Sequence, residues 1–181
     1  MKTLSLLKQT PGAEAYLSEV KNTKHRIALT KLRLSGHTLE IEKGRYNNTQ
    51  SEDRHCTYCK ALGSTIVEDE RHFLLHCPMS KELREKCLPM EVDNVMSDDE
   101  KFINIMTNPS LFQSTAKFVY TAFKNRDLNL EVLSTINDVV EYVEDICLKT
   151  QHEDCVIMPY KIRSINQGGL KLTLSRVDLV S

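Results

Sequence analysis

Three cysteines and a histidine within 22 residues have the chemistry to bind a metal ion. Cys56, Cys59, His72 and Cys77 follow the spacing C-x2-C-x12-H-x4-C. Zinc prefers four tetrahedral ligands drawn from thiolate and imidazole, and a C-x2-C pair can supply two of them from one turn. The histidine and third cysteine make the pattern more specific than that pair alone. The sequence therefore predicts one structural Zn2+, the alternative being buried cysteines beside a solvated histidine.

The histidine ligand has to be chosen between His72 and His76. Residues 68–70 are typical of the acidic first turn of a short helix, and Pro78 disfavours helical geometry at Cys77. His72 near the helix start and Cys77 at the bend can then converge on one ion. His76 is adjacent to Cys77, where both side chains reaching one ion would be strained. We favour His72 as the ligand.

The remaining cysteines and one further histidine are weaker candidates. Cys87, Cys147 and Cys155 lack partners at ligand spacing, and free cysteines such as Cys87 and Cys147 are usually plain core residues. His37, in a turn, is kept as an alternative ligand or as a residue that supports one.

No enzyme motif accompanies the cysteines. Four protein ligands close a zinc shell, whereas catalytic zinc keeps an open position for water. The deaminase signature H-x-E with P-C-x-x-C is absent, as are H-E-x-x-H, the P-loop and the G-x-S-x-G elbow. We predict no catalytic residues and no enzyme activity.

The composition is that of an ordinary globular protein, with 40% hydrophobic and 27% charged residues in a chain of 181. The first apolar run ends at Gln9, too early for a signal peptide, and no stretch approaches the roughly 18 apolar residues that cross a bilayer. In an unsecreted chain, six cysteines indicate metal binding rather than disulfides. We expect a soluble intracellular protein, in the nucleus or cytoplasm, without membrane contact.

Helical patterns dominate the segments that must position the cysteines. Apolar residues recur at helical spacing between Gly12 and Leu34. Residues 37–46 are predicted to be a short extended piece, because Leu39 and Ile41 alternate with glutamates. Further along, Ser97 and a glutamate three residues later form a capping box for a helix to residue 106.

The C-terminal part is predicted to contain two more helices and a change of period. Asn108 followed by proline begins a helix to about residue 124, and a second helix covers about 130–149. Leu170, Leu172 and Leu174 alternate with polar residues, so a short terminal β-hairpin with residues 156–162 could form.

These patterns together predict a mainly α fold class. We expect a small zinc knuckle between an N-terminal helix and a C-terminal helical bundle. A short terminal β-hairpin could follow the bundle. The predicted regions are 1–90, an N-terminal helix plus zinc-binding module; 91–150, a helical region; and 151–181, a tail.

The charges are unevenly distributed along the chain. Residues 21–60 carry nine Lys or Arg against four acids, whereas residues 91–154 carry thirteen acids against five bases. The basic part could face phosphates, and the acidic part could not do so easily. The alternative is that both are solvated helix faces.

Three phrases occur in order around the cysteines: TKHRIALTKLRLSGHTLEIEKGRY, RHCTYC and EDERHFLLHCP. With them, residues 23–84 resemble the zinc-binding region that follows the reverse transcriptase in non-LTR retrotransposons, the reverse-transcriptase zinc-binding family. The likeness extends loosely to residue 126. It implies metal ligands at Cys56, Cys59, His72 and Cys77, in agreement with the spacing.

The resemblance also implies partners. That family's region is thought to help the polymerase hold template RNA or target DNA, which fits Lys31, Arg33, Arg45 and Arg54. The polymerase's paired-aspartate motif is absent from the chain, which resembles a detached tail of such a polyprotein. One hypothesis is therefore a zinc-stabilised module that binds RNA or DNA without catalysis. The other is a zinc-stabilised structural or protein-interaction domain that binds a partner such as the polymerase body, without nucleic acid.

Overall fold

The computed structural model describes residues 7, 12–88, 96–150, 161–162 and 174–175, with side chains described as far as residue 135. The α-helices in these ranges are α1 (Tyr16–Glu19), α2 (Thr23–Arg33), α3 (Glu40–Tyr46), α4 (Thr57–Ala61), α5 (Lys81–Cys87), α6 (Asp98–Thr107) and α7 (Phe112–Thr150). Short 3-10 helices span Ser51–Asp53, Pro78–Ser80 and Pro109–Leu111, and a π-helical turn spans His72–His76. The prediction of a mainly helical fold is confirmed.

Side-chain caps begin two of these helices at the predicted places. The Ser97 hydroxyl accepts a hydrogen bond from the Glu100 N–H at 3.3 Å, and the Glu100 carboxylate accepts one from the Ser97 N–H at 2.8 Å. Asn108 caps the 3-10 turn that leads into α7. The prediction of two helices after residue 108 was wrong, because α7 runs unbroken from Phe112 to Thr150. No Gly or Pro lies between residues 124 and 130 to end it.

The segment predicted to be extended is helix α3. Leu39 and Glu42 are both buried, and three-residue spacing places them on one side of a helix. The Glu40 N–H at the helix start donates to the Glu68 carboxylate at 2.8 Å. A side chain far along the sequence therefore caps this helix, which the local alternation of apolar and polar residues could not indicate.

One hydrophobic core connects α2, the π-helical turn, α6 and α7. Its buried members include Leu29, Leu32, Leu39, Phe73, Leu74, Phe102, Ile105, Met106, Phe118, Val119 and Ala122. Phe73 stacks on Phe123, with ring centroids 4.5 Å apart. The predicted regions 1–90 and 91–150 thus share this core, and their division into separate regions stays a prediction.

Two short strands are described beyond α7. β1 (Lys161–Ile162) pairs antiparallel with β2 (Leu174–Ser175). The rest of the predicted terminal hairpin lies outside the described residues, so the full hairpin stays a prediction. Among the described residues, no helix has the length and apolar character needed to cross a membrane.

Candidate metal centre

Cys56 and Cys59 are positioned by a loop whose two arms are paired. An antiparallel bridge joins the arms, and the Cys56 N–H donates to the Ile66 carbonyl at 2.8 Å. Cys56 is the N-cap residue of α4 and Cys59 lies inside that helix, so one turn supplies both thiols. The chain reverses after α4 at Gly63, whose φ of +83° favours glycine.

His72 and Cys77 are positioned by the π-helical turn. The Asp69 carboxylate accepts a hydrogen bond from the His72 N–H at 2.7 Å. The Cys77 N–H donates to the His72 carbonyl, five residues back, also at 2.7 Å. The wider π turn brings residues five apart towards the same side of the helix, which an ordinary α-helix would not do. Pro78 then begins a 3-10 helix and ends the turn.

Arg84 on α5 stabilises the end of this turn. Its buried guanidinium donates to the Leu74 carbonyl at 2.6 Å and to the Cys77 carbonyl at 2.8 Å. Such carbonyls lack helical partners at a C-terminus. Burial lowers the pKa of Arg84 against the opposing effect of the charges on Cys77 and Glu85. Sequence reasoning missed this residue, because an arginine on a short amphipathic helix is typical of an exposed face.

The four predicted ligands converge in the fold. One ligand atom from each of Cys56, Cys59, His72 and Cys77 lies within 4.8 Å of the other three. All four residues are buried, and His72 Nε2 lies 3.4 Å from Cys59 Sγ. Tetrahedral ligands at ~2.0–2.3 Å from zinc are about 3.3–3.8 Å from one another. The cluster is therefore compact enough to hold one metal ion.

The donor set also fits a metal ion chemically. Sulfur and imidazole nitrogen are the ligands that zinc takes in structural sites. His72 Nδ1 is buried and has no hydrogen-bond partner among the described residues. The other ring nitrogen, Nε2, lies 3.4 Å from Cys59 Sγ, so a metal ion shared with that thiol would bind Nε2 and would leave Nδ1 to donate a hydrogen bond of its own.

Crowding and burial oppose ionisation of the free thiols. The hydrogen bond with Cys59 lowers the pKa of Cys56. This effect is outweighed by the hydrogen bond with Cys77, by burial and by the charges of Cys77 and Glu68, which together raise the pKa of Cys56 to about 12. For Cys77, the hydrogen bond with Cys56 lowers the pKa, whereas that with Cys59 and burial raise it to about 11. Both thiols are protonated at neutral pH, so a metal ion must displace protons to bind.

The two alternative histidines lie outside the ligand cluster. His76 is exposed, and its Nε2 is 2.8 Å from the Asp98 carboxylate. His37 is buried, with Nε2 3.1 Å from the Glu70 carboxylate and Nδ1 accepting a hydrogen bond from the Leu39 N–H. Among the described side chains, His72 is the histidine that joins the three thiols.

The other cysteines do not join the cluster where they are described. Cys87 is partly buried and packs against the hydrophobic core, as predicted. The Cys147 side chain and Cys155 lie outside the described part of the chain.

A buried ion pair ties the segment before His72 to the long helix α7. Arg126 donates to both carboxylate oxygens of Glu68, at 2.8 and 2.6 Å, and to Glu40 at 3.4 Å. Burial lowers the pKa of Arg126, but the hydrogen bond to Glu68 and the charges of Glu68, Glu40 and Asp127 outweigh it and raise the pKa. Sequence reasoning missed this pair, because its partners are 58 residues apart and no local pattern links them.

Arg33, one of the predicted nucleic-acid contacts, faces the interior. Its guanidinium donates to the Met106 carbonyl and to the Glu14 carboxylate, the latter at 2.7 Å. It also lies over the Tyr16 ring, 4.8 Å from the centroid. Arg33 follows Leu29 by one helical turn, so it shares the buried face of α2. A phosphate would have to displace these partners to reach it.

Arg54, a second predicted contact, is also engaged within the fold. All three of its guanidinium nitrogens donate to main-chain carbonyls, those of Ile41 and Thr49. Gly44 on α3 makes room for this side chain, because a Cβ at that position would lie 2.5 Å from Arg54 Cγ. Gly44 therefore has a packing role in this structure.

Lys31 and Arg45, the other two predicted contacts, lie on the surface. Lys31 is exposed on α2. Arg45 is exposed on α3 and pairs with Glu42 at 3.1 Å. Their role in binding nucleic acid stays a prediction.

The fold and cluster define the chain as a mainly helical protein with a Cys3His group that could hold one metal ion. No protein-family model, curated protein or solved structure matches the chain. The resemblance to the retrotransposon zinc-binding region therefore stays a prediction from the sequence.

Proposed function

We propose that the chain is a non-catalytic module organised around one structural zinc ion. The convergence of Cys56, Cys59, His72 and Cys77 carries this proposal. Thiolate and imidazole suit zinc, whereas Mg2+ and Ca2+ take oxygen ligands. Four protein ligands would fill a tetrahedral shell and leave no position for a reacting water. The donor set therefore supports a structural ion rather than a catalytic one.

The ion would join the loop that carries Cys56 and Cys59 to the turn that carries His72 and Cys77. Around the ligands, a small apolar cluster includes Tyr58, Met79 and Leu133. Because Leu133 belongs to α7, this packing would fasten the zinc module to the long helix. The zinc-knuckle description of residues 56–77 is part of this proposal.

We further infer that the module binds RNA or DNA through the phosphate backbone and derives from a retroelement reverse transcriptase. The support is the basic excess of residues 21–60, the exposure of Lys31 and Arg45, and the phrases shared with the retrotransposon region. Lysine and arginine contacts to phosphate release counterions, so binding should weaken steeply with salt.

A second candidate function is a structural or protein-interaction domain that binds no nucleic acid. It is favoured by the acidic excess of residues 91–154, with thirteen acids against five bases. An excess of negative charge repels phosphates and suits a basic partner, for which the polymerase body is the candidate.

The metal proposal is tested by the zinc content of protein purified without added zinc, with thiol oxidation measured on the same sample. We expect one zinc per chain and free thiols at Cys56, Cys59 and Cys77. Cys77→Ser should lose zinc to a chelator far more readily than the matched control Cys87→Ser. Metal-free protein with those cysteines in disulfides, or equal retention in both variants, would contradict the proposal.

The nucleic-acid proposal is tested by a salt titration of binding to single-stranded RNA and DNA. The double variant Lys31→Gln with Arg45→Gln should reduce the slope of log affinity against log salt by about 1.4, the expected value for two phosphate contacts on a single strand. The charge-matched control is Lys81→Gln with Lys86→Gln, on the exposed face of α5, which should leave the slope unchanged. No salt-dependent binding at all would favour the interaction domain.

A further inference from the structure

A groove with a volume of about 560 Å3 lies between α2 and α7. Each helix contributes four lining residues at the spacing i, i+3, i+4 and i+7, and residues at this spacing lie on one face of a helix. The lining includes Lys24, Ile27 and Lys31 from α2 and Tyr120, Lys124 and Asp127 from α7. Pockets of roughly 300–1,000 Å3 hold small molecules, so the groove has the size of a ligand site.

Three lysines make the groove positive. Lys24, Lys31 and Lys124 are exposed, and none of them forms an ion pair with an acid in the part of the chain that the structure describes. Ammonium groups without an acidic partner favour a phosphate. Asp127, the acid among the lining residues, lies 3.8 Å from Arg126. Its carboxylate would repel a bare anion but would accept a hydrogen bond from a ligand hydroxyl or amino group.

Flat and apolar side chains form the rest of the groove. Ile27 is 50% exposed although it is apolar, and Tyr120 and Phe123 are partly exposed. Phe123 already stacks on Phe73 and His37, and the Tyr120 ring contacts that of His25 with centroids 5.1 Å apart, so a bound base would pack on Tyr120 and Ile27. Nucleobases stack on aromatic side chains, and such stacking tolerates any base because every base has a π face. The groove therefore combines surface for a flat ring with cations for a phosphate.

We propose that this groove binds a nucleotide, with the base against Tyr120 and Ile27 and the phosphate on Lys24 and Lys124. The rival occupant is an acidic amphipathic helix, which needs apolar anchors along several turns. The apolar lining here is instead one compact patch, and Asp127 would oppose an acidic helix but can bond a ribose or base. A free nucleotide and a nucleotide within a single strand present the same chemistry. The proposal requires neither the zinc ion nor Arg45.

The test measures binding of AMP, ribose 5-phosphate, a fluorescent single-stranded oligoadenylate and a polyglutamate peptide to the full chain at low salt. Two variants separate the contributions of charge and ring: Lys24→Gln with Lys124→Gln, and Tyr120→Leu. The control is again Lys81→Gln with Lys86→Gln. Circular dichroism of each variant establishes that the helices are retained.

We expect the lysine pair and Tyr120→Leu each to weaken nucleotide binding about tenfold, the order of loss for a charge-assisted hydrogen bond or a stacked base. Ribose 5-phosphate should bind more weakly than AMP and be insensitive to Tyr120→Leu. Binding of AMP assigns the site to free nucleotides, and binding of the oligonucleotide alone assigns it to a single strand.

Three results would overturn the proposal. The first is that neither nucleotide ligand binds. The second is that both bind but the lysine pair and the control have equal effects. The third is that polyglutamate binds more tightly than the nucleotides and Tyr120→Leu changes nothing, which would identify an acidic-peptide surface. Oligoadenylate that binds with salt-dependent affinity but is insensitive to both groove variants sinks this proposal alone, whereas no oligoadenylate binding at all also sinks the phosphate-backbone function.

Discussion

Arg126→Met removes one partner of the buried pair that joins α7 to the segment before His72. The Arg126 and Glu68 side chains are 2% and 3% exposed, and two hydrogen bonds of 2.8 and 2.6 Å connect them. Methionine fills a similar volume but leaves the Glu68 carboxylate buried without its cation. Breaking a buried pair in this way costs about 3–5 kcal/mol, a large share of the ~5–15 kcal/mol that stabilises a typical domain.

Urea unfolding followed by far-UV circular dichroism measures this loss. With a denaturant slope of about 2 kcal/mol per M, a loss of ~4 kcal/mol lowers the unfolding midpoint by roughly 2 M. The control is Arg71→Met, whose partner Asp99 lies 2.6 Å away but is 67% exposed. That surface pair should contribute less than about 1 kcal/mol.

The double variant Glu68→Gln with Arg126→Met tests the cause of the loss. Because Glu68→Gln also removes the buried carboxylate that has lost its cation, the double variant should be more stable than Arg126→Met alone. The stability losses of the two single variants should therefore not add. A loss below about 1 kcal/mol for Arg126→Met, or strictly additive losses, would refute the reasoning that a buried uncompensated carboxylate is responsible.

Three further predictions concern packing, metal removal and pH. Gly44→Ala should destabilise the protein by about 1–2 kcal/mol, because the new Cβ displaces an Arg54 side chain that is held by three hydrogen bonds to main-chain carbonyls. The control in the same urea assay is Gly36→Ala, because a Cβ at position 36 meets nothing closer than 3.8 Å. Chelating the metal should release amides of residues 56–64 to hydrogen exchange while residues 73–75, which belong to the main core, stay protected; loss of protection in both would mean that they unfold together. In metal-free protein the pKa of Cys56 is raised from 9.0 to about 12 and that of Cys77 to about 11. The folded state then retains protons that the unfolded state releases, so stability should fall as pH rises above 9.0; urea midpoints that stay constant between neutral pH and pH ~10 would contradict this.

The sequence was sufficient for features that depend on local spacing. The group of four residues that could hold a metal ion follows from the separations between Cys56, Cys59, His72 and Cys77, and the start of α6 follows from the Ser97 capping box. Both are patterns whose partners lie within a few turns or one loop. The choice of His72 over His76 was also a local argument, since it depended on the bend at the proline after Cys77.

Contacts between segments that are distant in the sequence could not be predicted from local patterns. The helical state of α3 depends on a cap from Glu68, and the burial of Arg33 depends on Met106 and Glu14. Basic residues are mostly exposed in folded proteins, so exposure is the reasonable expectation for each of them. An arginine on the buried face of a helix is an exception to that expectation. The same limit explains why Arg84 and Arg126 were missed, since each is defined by the carbonyls or carboxylate that tertiary structure brings to it.

The metal cluster and the main core are coupled through the turn that carries two of the ligands. His72 and Cys77 flank residues 73–75, which are buried in the core shared by both halves of the chain. These two ligands are therefore held in place by core packing, whereas Cys56 and Cys59 lie on a loop whose apolar contacts are confined to the smaller cluster beside Leu133. We therefore expect the turn to be the more stable half of the site and the loop to be the half that a metal ion stabilises. Zinc binding should accordingly order the loop onto a turn that is already formed, and the free energy of binding should appear mainly as stability of residues 56–64.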